Sequence, residues 1–467
     1  MDRCLQSHAV PDRSIAARVL PWMMWGLTFH IFAIALLFGY FHVPQGVVQV
    51  IAAWKEAATL LILLLVLIRA AAGRGSRSAV GLTDLFAASW IGLAVVFFIT
   101  ENTLLRDFVP LKAALFGVRD SVFFVLFYFI GRSTPELARD YSLMKHAFAI
   151  LVVTCLIAIA EQLLVTPEML VGLGVAAYVQ QFLGGEAFTQ GNVYGLPDNY
   201  WSQMGGHFVR RSGSVFLSGQ GFAMIFIVLM PLATLWLLDA ERRTKWLAWT
   251  GYGVIWTGLL VTFTRTAILV CALQVLLVFA LRRRVTGAAL VAVTGLGCLV
   301  AAIAMFPSLA TFVFETLTWQ SGSSASHLKD WVRGLIAFLE QPWGYGLGTT
   351  DQTAVRAGLD PLTADNLYLK YAVELGLPGL VALVGTLATI GLAGARGSRL
   401  ALSRAERDMG TAVLLIVIGV AIYGMTSTMF NDPIVGCVTF WLGGTAVSVS
   451  QRSPSLTRPA PVALGYV

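Results

Sequence analysis

Arginine suits phosphate held at membrane depth, because its guanidinium is permanently charged, weakly hydrated and bidentate toward phosphate oxygens. Arg265 is the one charge inside the apolar run Trp246–Leu281, in the stretch Thr262-Phe263-Thr264-Arg265-Thr266-Ala267. Arg210 and Arg211 open an earlier apolar run. Lys55 and Arg119 lie at the heads of two others, each followed by a carboxylate, Glu56 and Asp120. Asp365 precedes a further run that carries Glu374. Such a set can hold a phosphate on its arginines and take a proton from an attacking hydroxyl at Asp365. Plainer readings stand beside this one. The arginines can snorkel to lipid headgroups, and Asp365 can cap a helix. Glu374 reads as structural, facing a polar groove, and His327 as a solvated residue at the start of an amphipathic helix.

The elements that must position these residues are membrane spans. The chain is 57% hydrophobic and 12% charged, against about 25% charged in soluble proteins. Its apolar runs have bilayer length and do not alternate as barrel strands do. This predicts an all-α polytopic integral membrane protein of about 12 transmembrane helices, near 19–41, 57–72, 80–100, 113–131, 146–165, 213–238, 246–263, 266–281, 285–306, 367–395, 409–430 and 433–450. As one helix the run Trp246–Leu281 would be about 54 Å long, too long for a hydrocarbon core of about 30 Å. It must therefore fold as a hairpin, turning at Thr262–Thr266.

With the N-terminus in the cytoplasm, basic clusters such as Arg69/Arg74/Arg77, Arg242/Arg243/Lys245 and Arg282/Arg283/Arg284 all fall on the cytoplasmic side. The positive-inside rule then places both termini inside. The first span is too long for a signal-peptide core, and it reads as retained. Arg265, Arg210, Arg211, Lys55, Arg119 and Asp365 fall on the outer side. Two long outer loops, about 166–212 and 307–366, are rich in Gly, Trp, Tyr and Phe. In the second, Leu328, Trp331, Leu335, Phe338 and Leu339 predict an amphipathic helix on the outer leaflet or capping the bundle, stopped by Pro342. We divide the chain into an N-terminal half, 1–204, a core, 205–450, and a disordered cytoplasmic tail, 451–467.

Several chemistries are excluded. The odd count of five cysteines, set in the N-terminal tail or in apolar runs, gives no disulfide framework. His42, His146 and His207 have no metal-ligand spacing, and no metal or cofactor is expected. No P-loop or Gly-x-Ser-x-Gly elbow occurs. The spans from 213 onward are nearly free of ionisable residues at mid-depth, against an ion-coupled transporter. The formal net charge of +7 reports topology, and no nucleic-acid partner is expected.

The order of the pieces carries more than any one of them. Arg211 begins a span, Thr264-Arg265-Thr266-Ala267 forms a hairpin, and Pro342-Trp343-Gly344-Tyr345-Gly346-Leu347-Gly348 follows in the long loop. Asp365-Asn366-Leu367-Tyr368-Leu369 then leads through Glu374 to Gly376 and Gly379. Over about 205–440 this resembles the bacterial O-antigen ligase and polymerase family of membrane glycosyltransferases. Two positions depart: ligases of the family usually carry His at 365, and many members carry Arg at 327. The Asp365-Asn366 form is more similar to the polymerases.

The resemblance implies a GT-C-like fold in the bacterial inner membrane and an undecaprenyl diphosphate-linked oligosaccharide as both donor and acceptor. Arg211 and Arg265 would bind the donor diphosphate, with Arg210, Arg119 and Lys55 as further diphosphate ligands. Asp365 would activate an acceptor hydroxyl in a metal-independent inverting displacement. Asn366, Tyr368, Glu374, Gly346 and Gly348 would support the site. The function implied is polymerisation of exopolysaccharide or O-antigen repeat units, beside a chain-length regulator and a flippase. The alternatives are a ligase that moves glycan to a lipid or protein acceptor, and a transporter of lipid-linked sugars.

Overall fold

The computed structural model describes residues 14–73, 79–103, 109–184, 195–197, 200–204, 207–240, 244–283, 322–363 and 365–452, with isolated positions between 286 and 318. The expected span 285–306 and most of the expected tail lie outside the described residues. The other expected spans each fall on a helix: α1 Ile15–Ala35, α2 Gln45–Ala52 running on into α3 Trp54–Ala71, α4 Leu82–Thr103, α5 Leu111–Arg132, α6 Ser142–Leu164, and, after the short α7 Pro167–Gly172, α8 Gly219–Asp239, α9 Lys245–Leu260 and α10 Arg265–Leu281. There follow the loop helices α11 Gly322–Glu340 and α12 Asp351–Ala357, and then α13 Leu367–Leu400, α14 Arg404–Tyr423 and α15 Pro433–Arg452. Eight described stretches are long and apolar enough to cross a membrane. The protein is a largely membrane-spanning, all-α bundle. α9 and α10, at 16 and 17 residues, are shorter, and α14 carries Arg404, Glu406, Arg407 and Asp408 in its first turns.

The apolar runs decide which helices are central. α8 packs on α6, α10 and α14, and 78% of its apolar window is buried. In α3 the figure is 17%, so that helix presents its leucines to lipid. Small residues let backbones approach, as membrane helix packing favours. A Cβ on Gly131 of α5 would collide with the Trp441 carbonyl of α15, and one on Gly444 with the Tyr128 carbonyl.

Ion pairs gather helix ends at one end of the bundle. Arg132 bonds Asp84 (2.8 Å), Arg404 bonds Asp239 (3.1 Å) and Arg282 pairs with Asp408. Every one of these residues lies at an expected cytoplasmic helix end.

Three details differ from the sequence reading. The sixth span begins at Gly219, because 213–218 are taken up by a 3-10 turn and the Ser218 cap. The first outer loop contains a two-stranded hairpin, β1 Trp201–Met204 with β2 His207–Arg210. The tenth expected span is broken: Gly376 has φ 66° and ψ −166° inside α13, two residues before Pro378. The break frees carbonyls, and the Pro342–Gly348 segment satisfies them. Tyr345 N–H donates to Val373 O (2.7 Å) and Gly346 N–H to Glu374 O (3.1 Å), while Leu377 N–H donates to Pro342 O (2.8 Å).

Candidate active site

The segment Arg210–Ser214 is clamped to the end of α6. Glu161 accepts from Ser212 Oγ (2.7 Å) and from Ser214 N–H (2.6 Å). Arg210 donates to the carbonyls of Glu161 (2.8 Å) and Val165, so its guanidinium holds the C-terminal turn of α6. In this position its guanidinium is turned to α6, away from the α9–α10 turn that Arg211 meets.

Arg211 turns the other way. Its Nε donates to Thr262 O (2.8 Å) and an Nη to Thr264 Oγ1 (2.6 Å). Gly219 makes the room, since a Cβ there would sit 2.8 Å from Arg211 Nε. Ser212 N–H donates to Val261 O (3.0 Å), joining the same turn. That turn is the expected hairpin between α9 and α10. Thr264 stands at its N-cap in extended backbone, and Arg265 is the first residue of α10. The sequence reading placed Arg211 and Arg265 in one site, and the structure brings them to one turn.

The helix cap that the sequence reading allowed to Asp365 is made by Asn366. Asn366 caps α13: its side-chain oxygen accepts from the N–H groups of Tyr368 and Leu369, each at 3.0 Å. Its amide donates to Met425 O (3.1 Å). Asp365 stands one residue earlier, at φ 53°, with 41% of its side chain exposed. The carboxylate faces His327, whose Nδ1 lies 3.7 Å from Oδ2. Burial, then Asp351 and Asp330, push Asp365 up to about 7, while a hydrogen bond from Gln220 opposes the rise. His327 was read as solvated. It is instead half-buried, because α11 packs on α13 with Gly334 pressed against Thr363.

Two side chains that the sequence reading passed over join the halves. Gln220, beside Gly219 on α8, favours the charged form of Asp365 and donates to Ser427 Oγ (3.4 Å). Tyr423, at the end of α14, lies within electrostatic reach of both Arg211 and Asp365. Arg265 acts in the same way on His327. The signal for Gln220 was a polar residue in the first turn of an apolar helix. His327 and Tyr423 gave no local signal.

Lys55 and Arg119 belong to a second network. Lys55 pairs with Glu56 (3.1 Å) and Arg119 with Asp120 (2.9 Å), so each cation is already matched by a carboxylate. Asp120 accepts from Thr353 (2.8 Å). The sequence reading also missed a buried pair, Lys370 Nζ to Asp351 Oδ2 at 2.9 Å, which Asn431 joins. This network adjoins the first through Asp351. The supporting residues hold the frame. Glu374 is fully buried and accepts from Thr350. Tyr368 Oη donates to Ala421 O (2.8 Å), tying α13 to α14. A Cβ on Gly348 would meet the Ala113 carbonyl of α5.

Residues 251–384 match the family model described as O-Antigen ligase. Over this segment the chain is similar to the O-antigen ligase family. The O-antigen ligase segment takes in Arg265, His327, the Pro342–Gly348 bracket, Asp365 and the Gly376 break. Arg211, Gln220 and Tyr423 come to it from outside the matched residues. No curated protein matches the chain. Among the described residues no three His, Cys, Asp or Glu side chains gather as a metal-ligand set.

Proposed function

We propose that the protein polymerises undecaprenyl diphosphate-linked oligosaccharide repeat units at the outer face of the bacterial inner membrane. The observation that carries this reading is the division of labour at 365–366. Asn366 takes the helix cap, which leaves the Asp365 carboxylate facing the site. Similarity to the family supports glycan transfer, and the two arginines at the α9–α10 turn supply positive charge for a departing diphosphate. Asp365 accepts the proton of an acceptor sugar hydroxyl as that oxygen attacks the anomeric carbon. The bond from that carbon to the diphosphate oxygen breaks, and a single displacement inverts the centre. Arg211 and Arg265 stabilise the charge that builds on the leaving diphosphate, a contact worth roughly 100-fold in rate or more.

In this reading the chain makes twelve crossings as a GT-C-like bundle with both termini cytoplasmic. The ion-paired helix ends lie at the end opposite the site, which supports that orientation. Lys55 and Arg119, already paired, are left out of the diphosphate set, and so is Arg210. A chain-length regulator and a flippase of the same pathway are the expected partners. Asp365, in place of the histidine usual in the ligases, favours polymerisation over ligation.

The test is Arg265→Ala and Asp365→Ala in the native strain, followed by analysis of lipid-linked glycans on each membrane face. Single repeat units should accumulate on the outer face while polymer is lost. Full-length polymer that never reaches its acceptor would indicate a ligase, and inner-face accumulation a transporter. Wild-type polymer from both variants would sink the catalytic assignment.

A further inference from the structure

The buried Nδ1 of His327 makes no hydrogen bond among the described residues, yet it points at a carboxylate 3.7 Å away. That separation is too long for a hydrogen bond. Such gaps are common in unliganded catalytic pairs and close in the substrate complex. The charged neighbours come from every side. Asp330 follows one turn later on α11, Arg265 faces His327 from α10, Asp351 and Asp330 act on Asp365, and Gln220 reaches Asp365 from α8.

We propose that His327 is the proton partner of Asp365, receiving from it the proton that Asp365 takes from the acceptor hydroxyl. This rests on the reading of Asp365 as the base. Burial and Arg265 hold the imidazole below its ordinary range, Asp330 partly opposing, while burial and two carboxylates raise Asp365 to about 7. A raised carboxyl and a lowered imidazole do not lock into a fixed ion pair, so a proton can pass between them. The acceptor O–H bond breaks and its proton goes to Asp365. The new bond to the anomeric carbon forms, and the electron pair of the old one leaves on the diphosphate. The proton then passes to Nδ1, and the ring, 24% exposed, returns it to water. Arg265 adds a timing device. A diphosphate bound beside it offsets the positive charge that disfavours the imidazolium, so His327 becomes a better acceptor when donor is present. His327 acts through Asp365 and touches neither reacting atom.

The experiment measures kcat and KM against pH for the purified full-length protein with a lipid diphosphate-linked donor and acceptor. Asp365→Asn, His327→Gln and His327→Asn are compared with wild type. Asn places an amide where Nδ1 stood and preserves a hydrogen-bonding atom, but it cannot take up a proton. Both His327 variants should keep the donor KM and lower kcat at neutral pH by at least about 10-fold. Their acid limb should move to higher pH, because the imidazolium that favours the carboxylate is gone. Wild-type kcat and an unmoved limb in His327→Asn, with Asp365→Asn inactive, would overturn the relay and leave the base in place. A fully active Asp365→Asn would remove both. A second measurement needs no change at His327: peptide-mapped modification by diethyl pyrocarbonate against pH. In Asp365→Asn the midpoint at His327 should move to lower pH, and an unmoved midpoint overturns the proposal.

Discussion

Asp365 and Asn366 are neighbours of almost equal capping ability, and the fold gives the cap to Asn366. Asn366→Ala removes two accepted hydrogen bonds from the first turn of α13. It should cost about 1 kcal/mol of stability, read as a lower unfolding temperature in detergent, with activity falling only as far as the site is displaced. For Asp365 the sign follows from its state. A base works deprotonated, and this group is raised to about 7, so kcat should fall as pH drops through 7 and level off above it. A rate flat from pH 5 to 8 would remove Asp365 as the base. Arg211, Arg265 and Asp365, the residues on which the proposed site rests, were legible in the sequence as residue types. Their environments were not, because burial and the approach of Asp351, Asp330 and His327 are made by segments distant in the chain.

At the scale of elements, the glycine-rich loop and the broken helix are one device. The Pro342–Gly348 segment is ordered because it completes the hydrogen bonds that the Gly376 break opens, and unsatisfied backbone is costly in a membrane. Gly376→Ala puts a Cβ 2.5 Å from the Trp343 carbonyl carbon at φ 66°. It should detach the bracket, lower the unfolding temperature and abolish activity, since Asp365 rides on the first half of α13. Gly92→Ala on α4, with nothing within 4 Å of the new Cβ, is the control and should behave as wild type in both assays. The sequence showed a helix from 367 and a glycine motif at 342–348, but hydrophobic periodicity does not register one reversed φ, and the span read as continuous.

Over the whole molecule, opposite ends do opposite things. One holds ion pairs that lock helix termini, and the other holds the arginines, His327 and Asp365. Asp408 is 2% exposed, paired with Arg282 and bonded by Tyr141 Oη (2.7 Å). Arg282→Ala strands that carboxylate and should cost about 3 kcal/mol, whereas replacing both partners with leucine should recover much of the loss. Thermal unfolding of the two proteins checks this. Equal destabilisation in both would show that the pair contributes through packing alone.

The sequence by itself determined the membrane class, the helical order among the described residues, the hairpin at Arg265 and the gathering of basic clusters at alternate helix ends. Hydrophobic length and basic clusters are local properties, and each can be summed along the chain. Only the tertiary structure decided that Arg210 serves α6, that Lys55 and Arg119 are paired elsewhere, and that His327 and Gln220 attend Asp365. Those outcomes depend on which helix end meets which, a matter of close packing between segments that no local pattern encodes.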